Sequence, residues 1–221
     1  MSAGLILLAV VGILILFGVS QRVLDRLRLT DRQALAFTAA MFIGGLIPDI
    51  RVTQAFSFNI GGALIPLILC VYLLVRAGSA MEVVRALIAA ALTGVAIYYM
   101  GRLLPNEPEE MPFDFNYLYG LAGGALAYLF GRSRRGAFVA GILGAMIADV
   151  WSAIDVWCGG VNQTLALGGA GAADVIVIAG LTAVLLAEFV GELIERMARG
   201  RRPDEKRVFD GGDFRERGRS K

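Results

Sequence analysis

Histidine is absent from all 221 residues. That removes Ser-His-Asp and Cys-His catalysis, HExxH zinc peptidases and imidazole proton relays together. No GxxxxGK(S/T) loop is present, so the phosphate cradle of an ATPase is missing. Cysteine occurs only as Cys70 and Cys158. Two thiols cannot build a metal cluster, and with Cys70 inside an apolar run and Cys158 in an expected loop, both are read as free thiols. Charged side chains make up only 18% of the chain, and long stretches have none. No basic residue stands in Met1–Gly4, and no small-x-small cleavage site follows the first apolar run. Residues 3–19 are therefore expected to form a retained helix rather than a cleaved signal. Nothing in the pattern points to a cofactor, a bound metal or a nucleic acid.

What is there is apolar. Hydrophobic residues make up 57% of the chain, against the roughly 45–50% usual for soluble domains. The expected class is an all-α polytopic membrane protein whose main partner is the lipid bilayer. Seven apolar segments can be counted, at about 3–19, 33–48, 60–76, 82–103, 117–131, 137–156 and 174–197. They make one membrane domain over residues 1–199, followed by a charged, glycine-containing tail over 200–221 that is expected to be disordered. Glu192–Arg196 and Glu195–Arg199 are i,i+4 pairs that extend the last helix, and Arg199, Arg201 and Arg202 are placed to meet anionic lipid heads.

Arginine placement orients the segments. Arg22, Arg26, Arg28, Arg32, Arg76, Arg85, Arg132, Arg134, Arg135 and ten Lys and Arg from Arg196 onward fall on one side of a seven-span layout, which is 19 of 21 basic residues. Only Arg51 and Arg102 fall on the other. The excess of basic residues marks the cytoplasmic face. The expected protein is thus multi-pass in the cytoplasmic (inner) membrane, with its N-terminus outside and its C-terminus inside. The connector 104–116, with Glu107, Glu109, Glu110 and Asp114, is acidic and lies outside in this layout.

Small residues recur at helical spacing. Ala137, Gly141, Ala145 and Asp149 make one i,i+4 stripe, and Gly120 and Gly124 begin another. Small side chains at this spacing let helices approach closely, which places Asp149 on a packed face and away from lipid. An internal repeat accompanies the stripes. GGLIPDI (44–50) resembles GAMIADV (144–150), and NIGGALIPLIL (59–69) resembles ALGGAGAADVIVI (166–178). Asp49 then corresponds to Asp149, and Gly61-Gly62 to Gly168-Gly169. Both copies run the same way through the membrane, so the repeat is parallel and the layout 3+1+3. In this architecture, though in no motif, the chain looks like the SWEET sugar transporters. The connectors are strand-like. Apolar and polar residues alternate through Phe56-Ser57-Phe58-Asn59-Ile60 and, more weakly, through Thr164-Leu165-Ala166-Leu167. The two are expected to pair as a small ribbon at the outer surface.

The orientation brings Asp49, Arg51, Asn59, Asp149, Asp155, Asn162 and Asp174 to the outer ends of their helices. The proposed ligands for a solute or cation are Asp49, Asn59, Asp149, Asn162 and Asp174. Plain alternatives stand beside them. Asp49 and Asp155 can simply be solvated, Asp174 can stabilise a helix N-terminus, and Glu188 can pair with an arginine. Asp149 has the weakest plain alternative, because a turn of apolar sequence precedes it. It lies about 18 Å above Ala137 on a helix that rises about 1.5 Å per residue.

Three readings of the site follow. Carboxylate and amide oxygens suit a proton or a hard cation. Alternatively, Asp149 and Asp174 share a proton and activate water as an intramembrane aspartyl hydrolase. GAGAAD resembles the GxGD signature of presenilin-type proteases, and Ala63-Leu64-Ile65-Pro66 resembles their PAL element. The aspartate comes two residues late, however, no Tyr-Asp precedes it, and the helix order differs. The third reading is a non-catalytic membrane scaffold. The glycine-rich helix starts also offer free N–H groups to an anionic head group. NIGGALIPLIL, the following GGAG-x-x-D and the hydropathy pattern together resemble an uncharacterised prokaryotic membrane family, domain of unknown function 1614, over about residues 35–198. The resemblance implies a fold family and no activity, substrate or catalytic residue.

Overall fold

The computed structural model describes residues 31–103, 115–131, 133–171, 174–199, 207–210 and 213–216. The first predicted segment, most of the acidic connector and much of the tail lie outside the described residues. Helix α1 (Asp31–Gly45) leads to strands β1 (Ile50–Arg51) and β2 (Phe56–Phe58), then to a π-helical turn (Ile60–Leu64) that runs into α2 (Ile65–Val75). Helices α3 (Ala80–Leu103), α4 (Phe115–Gly131) and α5 (Arg134–Cys158), strand β3 (Leu165–Leu167) and helix α6 (Val175–Arg199) follow. These helices fall on the second to seventh predicted segments. Among the described residues, α3 and α5 are long and apolar enough to cross a bilayer; the run Ile60–Val75 and the stretch Val175–Gly191 are apolar but shorter.

Local chemistry sets the ends. The Ser133 hydroxyl accepts the Gly136 N–H at 3.0 Å and caps α5. Glu82 sits in the first turn of α3 and accepts the Gly78 N–H, a carboxylate at the positive end of the helix dipole. Arg135 then ties three helix ends together, donating to the Arg76 carbonyl at 3.1 Å and pairing with Glu82 at 3.4 Å. Both cysteines are free: Cys70 is buried in α2, and Cys158 is exposed as the last residue of α5 rather than in a loop.

Helix α5 is the central post. Ala137, Phe138, Val139, Ala140, Ile142 and Ala145 are all buried. Its neighbours come close because the contact residues are small. A Cβ on Gly144 would fall 2.8 Å from the Thr93 Cβ, and one on Gly94 would fall 2.8 Å from Ile147. On the other side Gly141 lies against the Ala179 backbone of α6, and Gly120 and Gly124 of α4 lie against Ile178 and Thr182. The small-residue stripes are thus the packing seams. Many other large apolar side chains lie on the outside. Val75, Leu87, Ile88, Leu92 and Leu129 are all exposed.

Strands β1, β2 and β3 form one small sheet in that order. β1 and β2 are antiparallel, with Ile50 opposite Phe58. β2 and β3 are parallel, with Phe56, Ser57 and Phe58 opposite Leu165, Ala166 and Leu167. The two alternating connectors therefore do pair. The Asn59 N–H to the Leu167 carbonyl and the Leu165 N–H to the Ala55 carbonyl extend the ladder at 3.0 and 2.9 Å. The similar segments GGLIPDI and GAMIADV take different structures. Asp149 sits inside α5, which continues to Cys158, whereas α1 stops at Gly45 and Asp49 lies beyond it. The reason is local: Pro48 stands before Asp49 and disfavours helix there, while Ala148 precedes Asp149 and allows it.

Residues 188–221 form a separate unit. Composition leads to an expectation of disorder for the tail; within it, Arg207–Asp210 (β4) and Asp213–Glu216 (β5) pair antiparallel.

Candidate functional site

A crossing of glycine backbones builds the site. Gly61 and Gly62 lie in the π-helical turn between two other segments. A Cβ on Gly61 would fall 2.1 Å from the Gly45 nitrogen, and one on Gly62 would fall 2.2 Å from the Gly168 carbonyl oxygen. Gly168 and Gly171 hold φ of 69° and 59°, which side chains rarely tolerate. The loop after β3 can therefore fold back onto the turn and deliver Asp174 to the start of α6.

Asn59 holds the turn. Its Oδ1 accepts the N–H groups of Gly61 and Gly62 at 3.0 and 2.9 Å. Its Nδ2 donates to the Ile47 carbonyl and to Asp49 Oδ1, each at 3.0 Å. All four hydrogen-bonding positions of the amide are thus used inside the protein, and the residue is only 2% exposed. Asn59 positions Asp49 and caps the turn. Asn59→Ala would orphan two buried N–H groups and release Asp49, a cost of roughly 2–4 kcal/mol. A clear fall in the melting temperature of the purified protein is the expected result.

Asp174 is 9% exposed. Its Oδ1 accepts the Ile176 N–H at 3.0 Å and its Oδ2 the Ala170 N–H at 3.2 Å, so it caps the start of α6. Asp49 is its acidic neighbour on the other side. Asp149 is partly buried on α5 and lies close enough to Asp174 for the two charges to repel. Both aspartates line one cavity of about 370 Å³. Ser152, Ala153, Val156 and Trp157 of α5, Gln163 to Ala166 of the connector, and Val175 complete it.

Of the residues expected from sequence, then, Asp149 and Asp174 meet at the cavity, with Asp49 beside Asp174 and Asn59 behind it. Asn162 is exposed in the connector and does not line the cavity. Asp155 is engaged elsewhere: it forms an ion pair with Arg102 and accepts the Tyr98 hydroxyl, beside the stack of Tyr98 on Trp151. Among the described residues no three His, Cys, Asp or Glu side chains converge as metal ligands would. Sequence reasoning missed the rest of the wall. A signal was available, since 149, 152, 153, 156 and 157 form an i, i+3, i+4, i+7, i+8 helical face. Trp157 donates its indole N–H to the Gln163 carbonyl at 2.7 Å, and Thr164 donates to the Gln54 carbonyl at 2.9 Å. The wall is thereby tied to its own connector.

No curated protein and no solved structure matches the chain. A family model does: residues 6–186 match a family described as a protein of unknown function, DUF1614. That match spans most of the sequence, including every residue of the cavity, and the chain belongs to the DUF1614 family.

Proposed function

We propose that the protein is a multi-pass protein of the cytoplasmic membrane that binds a small solute or ion in the cavity between Asp149 and Asp174 and moves it across. The carrying observation is that two carboxylates, delivered by different helices, line one cavity with no lysine or arginine among the described residues of its wall. The inside-out distribution of side chains supports the membrane reading. Alanine and glycine line the helix seams, while many valines, leucines and isoleucines are exposed on the outside. In water such a surface is a liability; against acyl chains it is the favourable one. Pairing of β2 with β3 supports two halves arranged around this site.

The expected layout is seven spans, N-terminus outside and C-terminus in the cytoplasm. Single cysteines placed at 108 and 134 in a background without Cys158 check it. Position 108 should react with an impermeant maleimide in intact cells, and position 134 only after permeabilisation. Reaction at 134 in intact cells would reverse the layout.

Uptake by proteoliposomes, screened over cations and small solutes with and without a pH gradient, tests the activity. Saturable uptake that Asp149→Asn, Asp174→Asn double substitution abolishes is the expected outcome. Peptide cleavage requiring both aspartates would instead favour the hydrolase. A double variant indistinguishable from the parent in every assay leaves a scaffold.

A further inference from the structure

We propose that the solute held between Asp149 and Asp174 is a small organic cation, an amine or a quaternary ammonium compound, rather than a bare metal ion. The proposal rests on the reading of the cavity as a binding site and names what fits it.

Size is the first argument. At about 370 Å³ the cavity has room for on the order of ten waters, each taking roughly 30 Å³. That is the lower end of small-molecule pockets and far more than a dehydrated ion fills. A hard cation also gathers about six oxygens at roughly 2.0–2.6 Å. Here no three acidic, imidazole or thiolate side chains converge among the described residues.

The wall is the second argument. One part offers oxygens, from the two aspartates, Ser152, Gln163 and Thr164; the other is apolar, from Ala153, Val156, Leu165 and Val175. A bare ion has no use for the apolar part, whereas the alkyl groups of an amine do. Trp157 joins the wall, and its hydrogen bond to Gln163 restrains the indole. An aromatic ring beside carboxylates suits a substituted ammonium, whose charge is spread over a soft surface.

Charge is the third. Asp174 is nine-tenths buried and receives only backbone N–H groups. Its charged neighbours are Asp149 across the cavity and Asp49 behind. All three are acidic, and no basic side chain stands among the described residues that line the cavity. A neutral guest would leave buried charge uncompensated, and an anion would add to it. A monovalent organic cation removes the repulsion and fills the volume.

The test uses the full chain in lipid nanodiscs. Trp151→Phe leaves Trp157 as the only tryptophan of the two, so its fluorescence reports the cavity. The probes are tetramethylammonium and n-butylammonium, neutral tert-butanol, acetate, and the ions Na⁺ and Mg²⁺. A saturable change with the ammonium probes alone is expected. Asp149→Asn and Asp174→Asn should each weaken it about a hundredfold. By calorimetry, Trp157→Ala should weaken binding about tenfold while Trp157→Phe stays within about threefold. Thermal melting without probe establishes that each variant is folded. Saturation by Mg²⁺ or Na⁺, or by the neutral probe, without the ammonium probes overturns the organic cation and leaves the cavity as a site. Ammonium binding that survives both aspartate substitutions, or no binding of any probe by the folded parent, overturns the cavity reading as well.

Discussion

Gly61→Ala should prevent the folded protein from accumulating. The added methyl carbon would sit 2.1 Å from the Gly45 nitrogen and 2.2 Å from the Met41 oxygen. Both are backbone atoms of α1, so no side chain can rotate aside; the helix and the π-helical turn must separate by more than an ångström. Overpacking against soft neighbours costs about 1–3 kcal/mol, and rigid backbone on the far side puts this change at the top of that range or above it. Separation would also disturb Asn59 and the strand pairing that follows from it. Yield of monodisperse protein after size-exclusion chromatography is the measurement. Gly101→Ala is the control. There the nearest atom is 3.9 Å away, and alanine gains about 1 kcal/mol of helix propensity. If Gly61→Ala gives as much folded protein as Gly101→Ala, the close crossing is wrong.

Asp149→Asn should leave the fold intact and lower affinity for a cationic guest by roughly two orders of magnitude. Asparagine has the shape of aspartate but no charge, and removing one partner of a buried charge pair costs about 2–5 kcal/mol. The companion prediction concerns pH. Only an ionised carboxylate holds a cation, so the affinity should fall as acid protonates Asp149 and Asp174, with Asp49 the third acidic group beside them. An affinity that does not change with pH in the parent would remove the electrostatic account.

Much of this was legible in the sequence because it is periodic. Six apolar runs read as helices and are helices. The alternation in 56–60 and 164–167 read as strand, and the two connectors pair. Small residues four apart marked the seams. The depth of Asp149 along its helix was legible, but its meeting with Asp174 at one cavity was not, because depth does not fix which sides of two helices face each other. What was not legible depends on contacts between distant segments. Nothing periodic announces that Gly61-Gly62 opens as a π-helical turn, since that geometry is held by Asn59 reaching back to Ile47 and Asp49. Asp155 looked like a solvated end residue because its partners, Arg102 and Tyr98, lie on another helix. Of the four positions at which GGLIPDI and GAMIADV differ, Pro48 against Ala148 is the one that decides whether a helix ends.

The pairing of β2 with β3 also sets a timetable for synthesis. The hydrogen bond from Thr164 to Gln54 spans 110 residues. At about 5–20 residues per second, the ribosome needs roughly 5–20 s to supply the parallel partner of β2. Until then β2 has only β1 beside it, and the turn at Gly62 lacks the loop that packs on it. Over that interval the early half of the chain keeps an open strand edge. Closure of the small sheet is deferred to the arrival of Leu165–Leu167, after all of α5 has been made.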